Sequence, residues 1–115
     1  MSVLVLPNHI RQQIEQEGAA AYPDECCGIM IGIEEPGAKM TRRVVERLIP
    51  APNVFDPNEQ YHRFSIDPKT LMQAEREAGK AGKLVLGFYH SHPDHPARPS
   101  EYDRQHAWEF YSYVI

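Results

Sequence analysis

The sequence predicts a single folded domain of the α/β or α+β class, because segments of strand character and segments of helix character are intermixed along the chain. Its 115 residues are the length of one domain. Hydrophobic residues make up 42% of the chain and charged residues 24%, which are the proportions of a globular protein rather than of a disordered one.

The strand predictions rest on runs of β-branched, aliphatic and aromatic residues bounded by turn residues. CCGIMIGI is a continuous apolar run, typical of a strand buried on both faces, and KMTRRVVERLIP follows it across the turn EEPG to form a hairpin. The last run, EFYSYVI, ends with the sequence, which predicts either an edge strand or a domain that lacks further C-terminal strands. The predicted strands are residues 2–6, 26–33, 39–50, 63–66, 83–92 and 109–115.

Helical spacing of apolar residues predicts one helix over 9–22 and a better defined one over 67–82. In the second, Asp67 can cap the helix and Pro68 fits its first position. A short helix is predicted from Ser100, after a proline-rich loop.

Charge and composition argue against several classes of function. The 12 basic and 16 acidic residues give a net charge of −4, which provides no electrostatic attraction to nucleic acid. The apolar runs are too short to cross a membrane, and MSVLVLP does not have the pattern of a signal peptide. Cys26 and Cys27 are adjacent and have no third cysteine as a partner, which favours a reducing, cytoplasmic location.

The stretch HSHPDHPARPSEYD carries ligand-type side chains among prolines. Residues two apart on a strand share a face, so His90 and His92 are expected to project side by side and to share a divalent cation such as zinc. Asp103 can return to them across the loop, since the prolines prevent the strand from continuing. Three ligands would leave one position for water, as in catalytic zinc sites, whereas Cys26 or Cys27 would close the site.

At these residues the sequence resembles the JAMM (MPN-plus) zinc metalloprotease family, of the bacterial single-domain type. Glu25, the run His90-Ser-His92-Pro and the run Ser100-x-x-Asp103 match its pattern E…HxHP…SxxD. PDECCG, RFSIDP and LVLGFYHSHP are also similar, so the likeness covers most of the chain. It implies an α/β fold with a mixed, curved β-sheet flanked by helices, a sandwich of the cytidine-deaminase-like or JAMM type. Members of the family continue for another strand or more, so residues 1–115 would form one such domain short of that strand.

The resemblance also implies a role for each matching residue. His90, His92 and Asp103 would ligate Zn²⁺. Glu25 would hold the attacking water as general base and pass its proton to the leaving amine, and Ser100 would hydrogen-bond the oxyanion. All five positions have the expected residue type, which indicates an active zinc metallopeptidase.

Short bacterial members of that family act on ubiquitin-like proteins, and several cleave after the diglycine tail of small sulfur carriers. We therefore predict a carrier protein with a C-terminal Gly-Gly tail as the substrate, with loop 51–62 able to cover the bound tail. The alternative is a non-catalytic MPN-type binding module whose metal is structural. A zinc deaminase is disfavoured, because the sequence lacks the P-C-x-x-C ligand pair.

Simpler interpretations exist for the same residues. Ser100 and Asp103 also form the S-x-x-D pattern of a capping box. His90 and His92 alone could be two hydrogen-bonded strand residues, and Glu25 a solvated turn residue.

The other polar residues near the motif are expected at the surface: Asp94, His95 and His106. The aromatic residues of the C-terminal segment are expected in core and edge packing: Trp108, Phe110, Tyr111 and Tyr113.

Overall fold

The computed structural model describes residues 1–115 and contains a five-stranded mixed sheet in the order β1-β3-β2-β4-β5. The central strands pair antiparallel, whereas each edge strand runs parallel to its neighbour. The strands are β1 (Ser2–Val5), β2 (Cys27–Pro36), β3 (Thr41–Ala51), β4 (Leu84–His90) and β5 (Ser112–Val114). The predicted hairpin is confirmed as β2–β3.

Helices cover both faces of the sheet. On one face, Ile10 of the first helix packs with Met30, Val45 and Leu86 of the three central strands. On the other face, two alanines of the second helix pack with aliphatic side chains of β2 and β4. The helices are α1 (Asn8–Ala21), α2 (Pro68–Lys80) and α3 (Glu101–His106), with a 3₁₀ turn at Pro57–Glu59. The expected mixed sheet flanked by helices is therefore confirmed.

Local sequence explains the two best predicted elements. β2 is buried over residues 27–32 because it lies between β3 and β4 and has a helix on each face, as its continuous apolar run predicts. α2 begins where expected, since the Asp67 side chain accepts a hydrogen bond from the Lys69 N–H at 2.9 Å.

The prediction of a strand at 63–66 is wrong. The segment is not part of the sheet, because the side chain of Asn53 takes up its backbone groups. Asn53 Nδ2 donates to the carbonyl of Arg63 at 2.9 Å, and its Oδ1 accepts from the N–H of Ser65 at 3.0 Å. Only one backbone bond, from Val54 N–H to Ser65 O, joins the two segments. The polar side chain thus replaces the neighbouring strand that these β-forming residues would otherwise need.

Other strand boundaries also differ from expectation. β2 continues to Pro36, because the first three residues of the predicted turn EEPG pair with β3. β4 ends at His90, so His92 lies beyond the strand rather than on its face. β5 comprises three residues instead of seven and lies at the edge of the sheet, parallel to β4. Trp108 and Phe110 precede it and are 70% and 60% exposed, so the expectation of core and edge packing is wrong for these two residues.

None of the helices has both the length and the apolar character needed to cross a membrane.

Candidate metal centre

The pairing of β2 with β4 brings two distant parts of the sequence together. Cys27 lies opposite His90 in this antiparallel ladder, and the Ser91 N–H continues it by donating to the Cys26 carbonyl at 3.2 Å. The ladder therefore places Glu25, just before β2, alongside the residues that follow β4. Ligand atoms of Glu25, His90 and His92 all lie within 4.8 Å of one another.

Three ligand-type atoms converge at the end of β4. His90 Nε2 lies 3.2 Å from His92 Nε2 and 3.4 Å from Asp103 Oδ2, and His92 Nε2 lies 3.0 Å from the same oxygen. A tetrahedral zinc ion with bonds of about 2.0–2.1 Å separates its ligand atoms by about 3.3 Å. The three residues therefore fit such an ion in both donor type and spacing, although His92 lies outside the strand.

His90 is held by packing. It is 1% exposed, and its ring stacks on Phe64 with 4.3 Å between the centroids. Burial lowers the pKa of His90 to about 4, so the ring is neutral at pH 7 and Nε2 can offer a lone pair. Its Nδ1 has no hydrogen-bond partner.

His92 is oriented by the proline-rich loop. Its Nδ1 lies 3.1 Å from the carbonyl oxygen of Pro96. A carbonyl only accepts, so this contact requires the proton on Nδ1 and leaves the Nε2 lone pair for a cation. The loop therefore supports the ligand as well as ending the strand.

Asp103 is fixed by the start of α3. Its Oδ2 accepts from the Ser100 N–H at 2.9 Å, and the Ser100 hydroxyl accepts from the Asp103 N–H at 3.0 Å. The capping box is thus formed, and it holds the carboxylate against the histidines. Burial raises the pKa of Asp103, but the hydrogen bond from Ser100 and the two histidines lower it by more.

The capping box does not use all of Ser100. Its hydroxyl serves there as an acceptor, so its single proton remains available to a further acceptor. Ser100 is exposed and lines the same polar cleft as Glu25 and His92.

Glu25 is buried beside the histidines, so it is not a solvated turn residue. It is 3% exposed, and its Oε1 has no hydrogen-bond partner. Burial, and secondarily the charge of Asp103, raise the pKa of Glu25 to about 8. Loop 51–62 holds its backbone, because the Glu25 N–H donates to the Gln60 carbonyl at 2.8 Å. An unpartnered buried carboxylate oxygen favours a cation or a polar ligand at this point.

The cysteines do not take part. Both are free, and the thiol of Cys27 lies 3.5 Å from the carbonyl oxygen of Ala51. Burial raises the pKa of Cys27 to about 12, so the thiol keeps its proton. Neither cysteine belongs to the cluster around the histidines, and the site is not closed by sulfur.

The surrounding polar residues lie where they were expected. Asp94 and His95 are exposed, and Asp94 accepts a hydrogen bond from the Tyr22 hydroxyl. His106 is exposed and stacks on Tyr102, with its Nδ1 at 2.8 Å from the Tyr102 carbonyl oxygen.

Two supporting side chains were not predicted from the sequence. The Ser91 hydroxyl accepts from the Cys26 N–H at 2.9 Å, which ties the start of β2 to the end of β4. Asn53 anchors the segment that contains Phe64, the residue that stacks on His90. Neither residue belongs to a motif, so only the position of Ser91 between the two histidines could have indicated its role.

The cluster lies between two clefts of different character. A cleft of about 370 Å³ contains His90 and Asp103 and is lined mainly by aromatic and aliphatic side chains. A polar cleft of about 640 Å³ contains Glu25, His92 and Ser100. Tyr102 lines both clefts.

Comparisons with known proteins agree with this geometry. A family model described as "Prokaryotic homologs of the JAB domain" matches residues 7–115. A protein of Thermus thermophilus named "Probable TtuB-protein conjugate cleaving protease" is 33% identical over 113 residues, which are 98% of this chain and 69% of that protein. A protein of Haloferax volcanii named "Desampylase" is 31% identical over 102 residues, 87% of this chain and 68% of that protein.

A solved structure supports the fold in the same way. The solution structure of a protein from Desulfitobacterium hafniense matches with a TM-score of 0.73 and 31% identity, over 95% of this chain and 68% of that one.

Proposed function

Because this chain belongs to the family of prokaryotic homologues of the JAB domain, we propose that it is a zinc-dependent peptidase or isopeptidase. Its substrate is a ubiquitin-like or sulfur-carrier protein, cleaved after a C-terminal diglycine. The observation that carries the proposal is the convergence of His90, His92 and Asp103 within 3.4 Å of one another, with a buried carboxylate beside them.

His90, His92 and Asp103 would hold the metal. They supply two neutral imidazole nitrogens and one carboxylate oxygen, a donor set that suits zinc and leaves a fourth position open. When bound, zinc would polarise the scissile carbonyl and lower the pKa of a water molecule.

Glu25 is placed to move protons. Burial makes the Glu25 carboxylate a stronger base than in water, and the positive charge of a bound zinc ion would favour its ionised form, so that its unpartnered Oε1 could accept the proton of an attacking water. The same group can then give that proton to the leaving amine. Ser100 can donate its free hydroxyl proton to the oxyanion that forms on the carbonyl.

The nature of the substrate is supported by the relatives' names. One states the cleavage of protein conjugates of TtuB, and both relatives match most of this chain. An extended diglycine tail would reach the cluster through one of the two clefts that it borders. The outer side of β5, an edge strand next to the site, could pair with such a tail by strand addition.

The proposal is tested with the zinc-loaded protein and a carrier protein joined through its diglycine tail to a lysine of a second protein. The expected result is release of the carrier, abolished by chelation and restored by zinc. A fully metal-loaded protein that leaves the conjugate intact would contradict the proposal.

The Glu25→Gln variant separates catalysis from the alternative of a binding module with a structural metal. Gln keeps the size of Glu25 but cannot act as a base, so turnover should be lost while one zinc per chain is retained. If the protein is instead a non-catalytic module, the variant should keep its partner binding and its zinc content, and the wild-type protein should show no turnover. Circular dichroism controls for folding of the variant.

A further inference from the structure

The polar cleft beside Glu25 differs in charge from the molecule as a whole. Arg63, Arg98 and Arg104 line it, and Glu101 is its only carboxylate besides Glu25. The whole chain carries a formal charge of −4. With three arginines against two glutamates, the lining has a formal charge of +1 on an acidic protein, which favours anionic groups.

Two of these arginines are not neutralised by the chain itself. Arg98 and Arg104 are exposed and form no ion pair with any carboxylate. Arg63 differs, because its Nη1 lies 3.2 Å from Glu59 Oε1 and its guanidinium lies 4.5 Å from the centre of the Tyr102 ring. The unpaired positive charges of the cleft are thus those of Arg98 and Arg104.

These two arginines lie close in sequence to the reacting groups. Arg98 precedes Ser100 by two residues, and Arg104 lies in the last turn of the six-residue helix that Ser100 caps. The Arg98 N–H donates to the Pro96 carbonyl at 2.8 Å, and the same carbonyl contacts His92. An anion held by these arginines would therefore lie in the cleft that His92 and Ser100 also line.

We infer that the cleft binds a carboxylate of the substrate, so the preferred substrates are acidic on the side of the cleaved bond that enters it. The position of the cleaved bond is taken from the proposed function, so the inference rests on that proposal. The carboxylate has two sources, an aspartate or glutamate side chain and the free C-terminus of a short leaving segment. Both offer the planar pair of oxygens that a guanidinium recognises.

Peptide binding tests the inference without turnover. The zinc-loaded protein is titrated into three peptides with an uncharged fluorescent label: amidated Glu-Glu-Gly, amidated Gln-Gln-Gly, and the Gln peptide with a free C-terminus. None of them contains the diglycine, so the protein has no such bond to cleave. Fluorescence anisotropy should show at least one carboxylate-bearing peptide binding about tenfold more tightly than the amidated Gln peptide at low salt. High salt should remove the difference. The peptide that binds more tightly than the amidated Gln peptide identifies the source of the carboxylate.

The variant Arg98→Ala/Arg104→Ala should lose this preference, by about five- to tenfold, and bind the amidated Gln peptide as before. The matched control is Lys69→Ala/Arg76→Ala, which removes two positive charges from the outer face of α2. Equal binding of all three peptides to the wild type, or an equal loss in the control, would overturn the inference.

Cleavage of the carrier conjugate is measured in parallel. Cleavage without any preference for carboxylates contradicts only the inference. A preference that depends on Arg98 and Arg104 in a protein that cleaves nothing contradicts only the proposed function.

Discussion

The carboxylate of Asp103 takes part in two structures at once. Its Oδ2 closes the capping box with the Ser100 N–H and also faces both histidines. The capping box and the metal site were opposed as interpretations of the same two residues, but the geometry makes them parts of one arrangement. The cap holds this carboxylate in place, which would reduce the entropy lost if a metal binds there.

Substitutions at the two capping residues should separate these tasks. In Asp103→Asn the amide oxygen can still accept from Ser100, so stability should change little. Zinc affinity should fall by more than about 100-fold, because removing a ligand should weaken binding more than removing a residue that only hydrogen-bonds to a ligand. Ser100→Ala should lose about 1 kcal/mol of stability through the missing cap and keep most of its zinc affinity. Calorimetric titration and denaturant unfolding measure both quantities, and an equal loss of zinc affinity in both variants would contradict this separation.

The buried carboxylate of Glu25 should make the metal-free protein sensitive to pH. Burial raises its pKa from 4.5 to about 8 and lowers that of His90 from 6.5 to about 4. Between pH 4.5 and 6.5 the two contributions oppose each other. From pH 6.5 to 8 the loss from Glu25 exceeds the small remaining gain from His90, so the free energy of unfolding should fall by about 1 kcal/mol.

Urea unfolding in the presence of a chelator at pH 6.5, 7.2 and 8 measures this change. The Glu25→Gln variant lacks this contribution, so its free energy of unfolding should stay level or rise slightly over the same interval. A slope in the variant as steep as that of the wild type would assign the effect to other residues.

Among the elements, those with a clear local signal were predicted well. α2 has its cap, its proline and its apolar spacing within its own sequence, and β2 has an uninterrupted apolar run. The segment 63–66 has equal strand character, but its partner is the side chain of Asn53, which lies ten residues or more away. Local propensity contains no information about such a partner, so this element and the true end of β4 could not be read from the sequence.

The contact between Gly28 and Tyr89 is a testable feature of the central strands. A Cβ atom added at Gly28 would lie 2.2 Å from the ring and hydroxyl of Tyr89, which is fully buried. Gly28→Ala should therefore destabilise the protein by about 3 kcal/mol or more, as overpacking does. Most of this loss should disappear in a Tyr89→Leu background, since Leu lacks the far part of the ring. A double-mutant cycle from denaturant unfolding measures the coupling, and additive effects would refute it.

At the scale of the whole molecule, the five candidate residues come from three separate segments. No periodicity predicts that Glu25 lies beside residues 65 or more positions later in the chain. Only the resemblance of the separated pattern E…HxHP…SxxD to the JAMM family linked these residues. The structure brings all five to one place. The charge of the polar cleft could not be predicted in the same way, because Arg63 joins Arg98 and Arg104 only after folding.

Zinc should therefore stabilise the weakest of these segments. α3 has six residues, none of them buried, and helices of this length are marginal in isolation. A metal held by His90, His92 and Asp103 would join α3 to β4. Hydrogen exchange of the Arg104 amide, which bonds the Ser100 carbonyl, should slow by about tenfold or more on zinc addition, while amides of α2 change little. Equal protection of both helices, or a zinc effect that persists in Asp103→Asn, would contradict this link.

The ladder that sets Cys27 opposite His90 has a consequence for how natural variants of this protein can differ in length. Successive residues of a strand point to opposite faces, so an insertion or deletion of one residue between Glu25 and β2 would turn the carboxylate away from the histidines. The turn between β2 and β3 does not carry this constraint, because it lies at the far end of the hairpin. Length polymorphism should accordingly be tolerated at residues 37–40 and be absent from residues 25–28 in every variant that retains turnover.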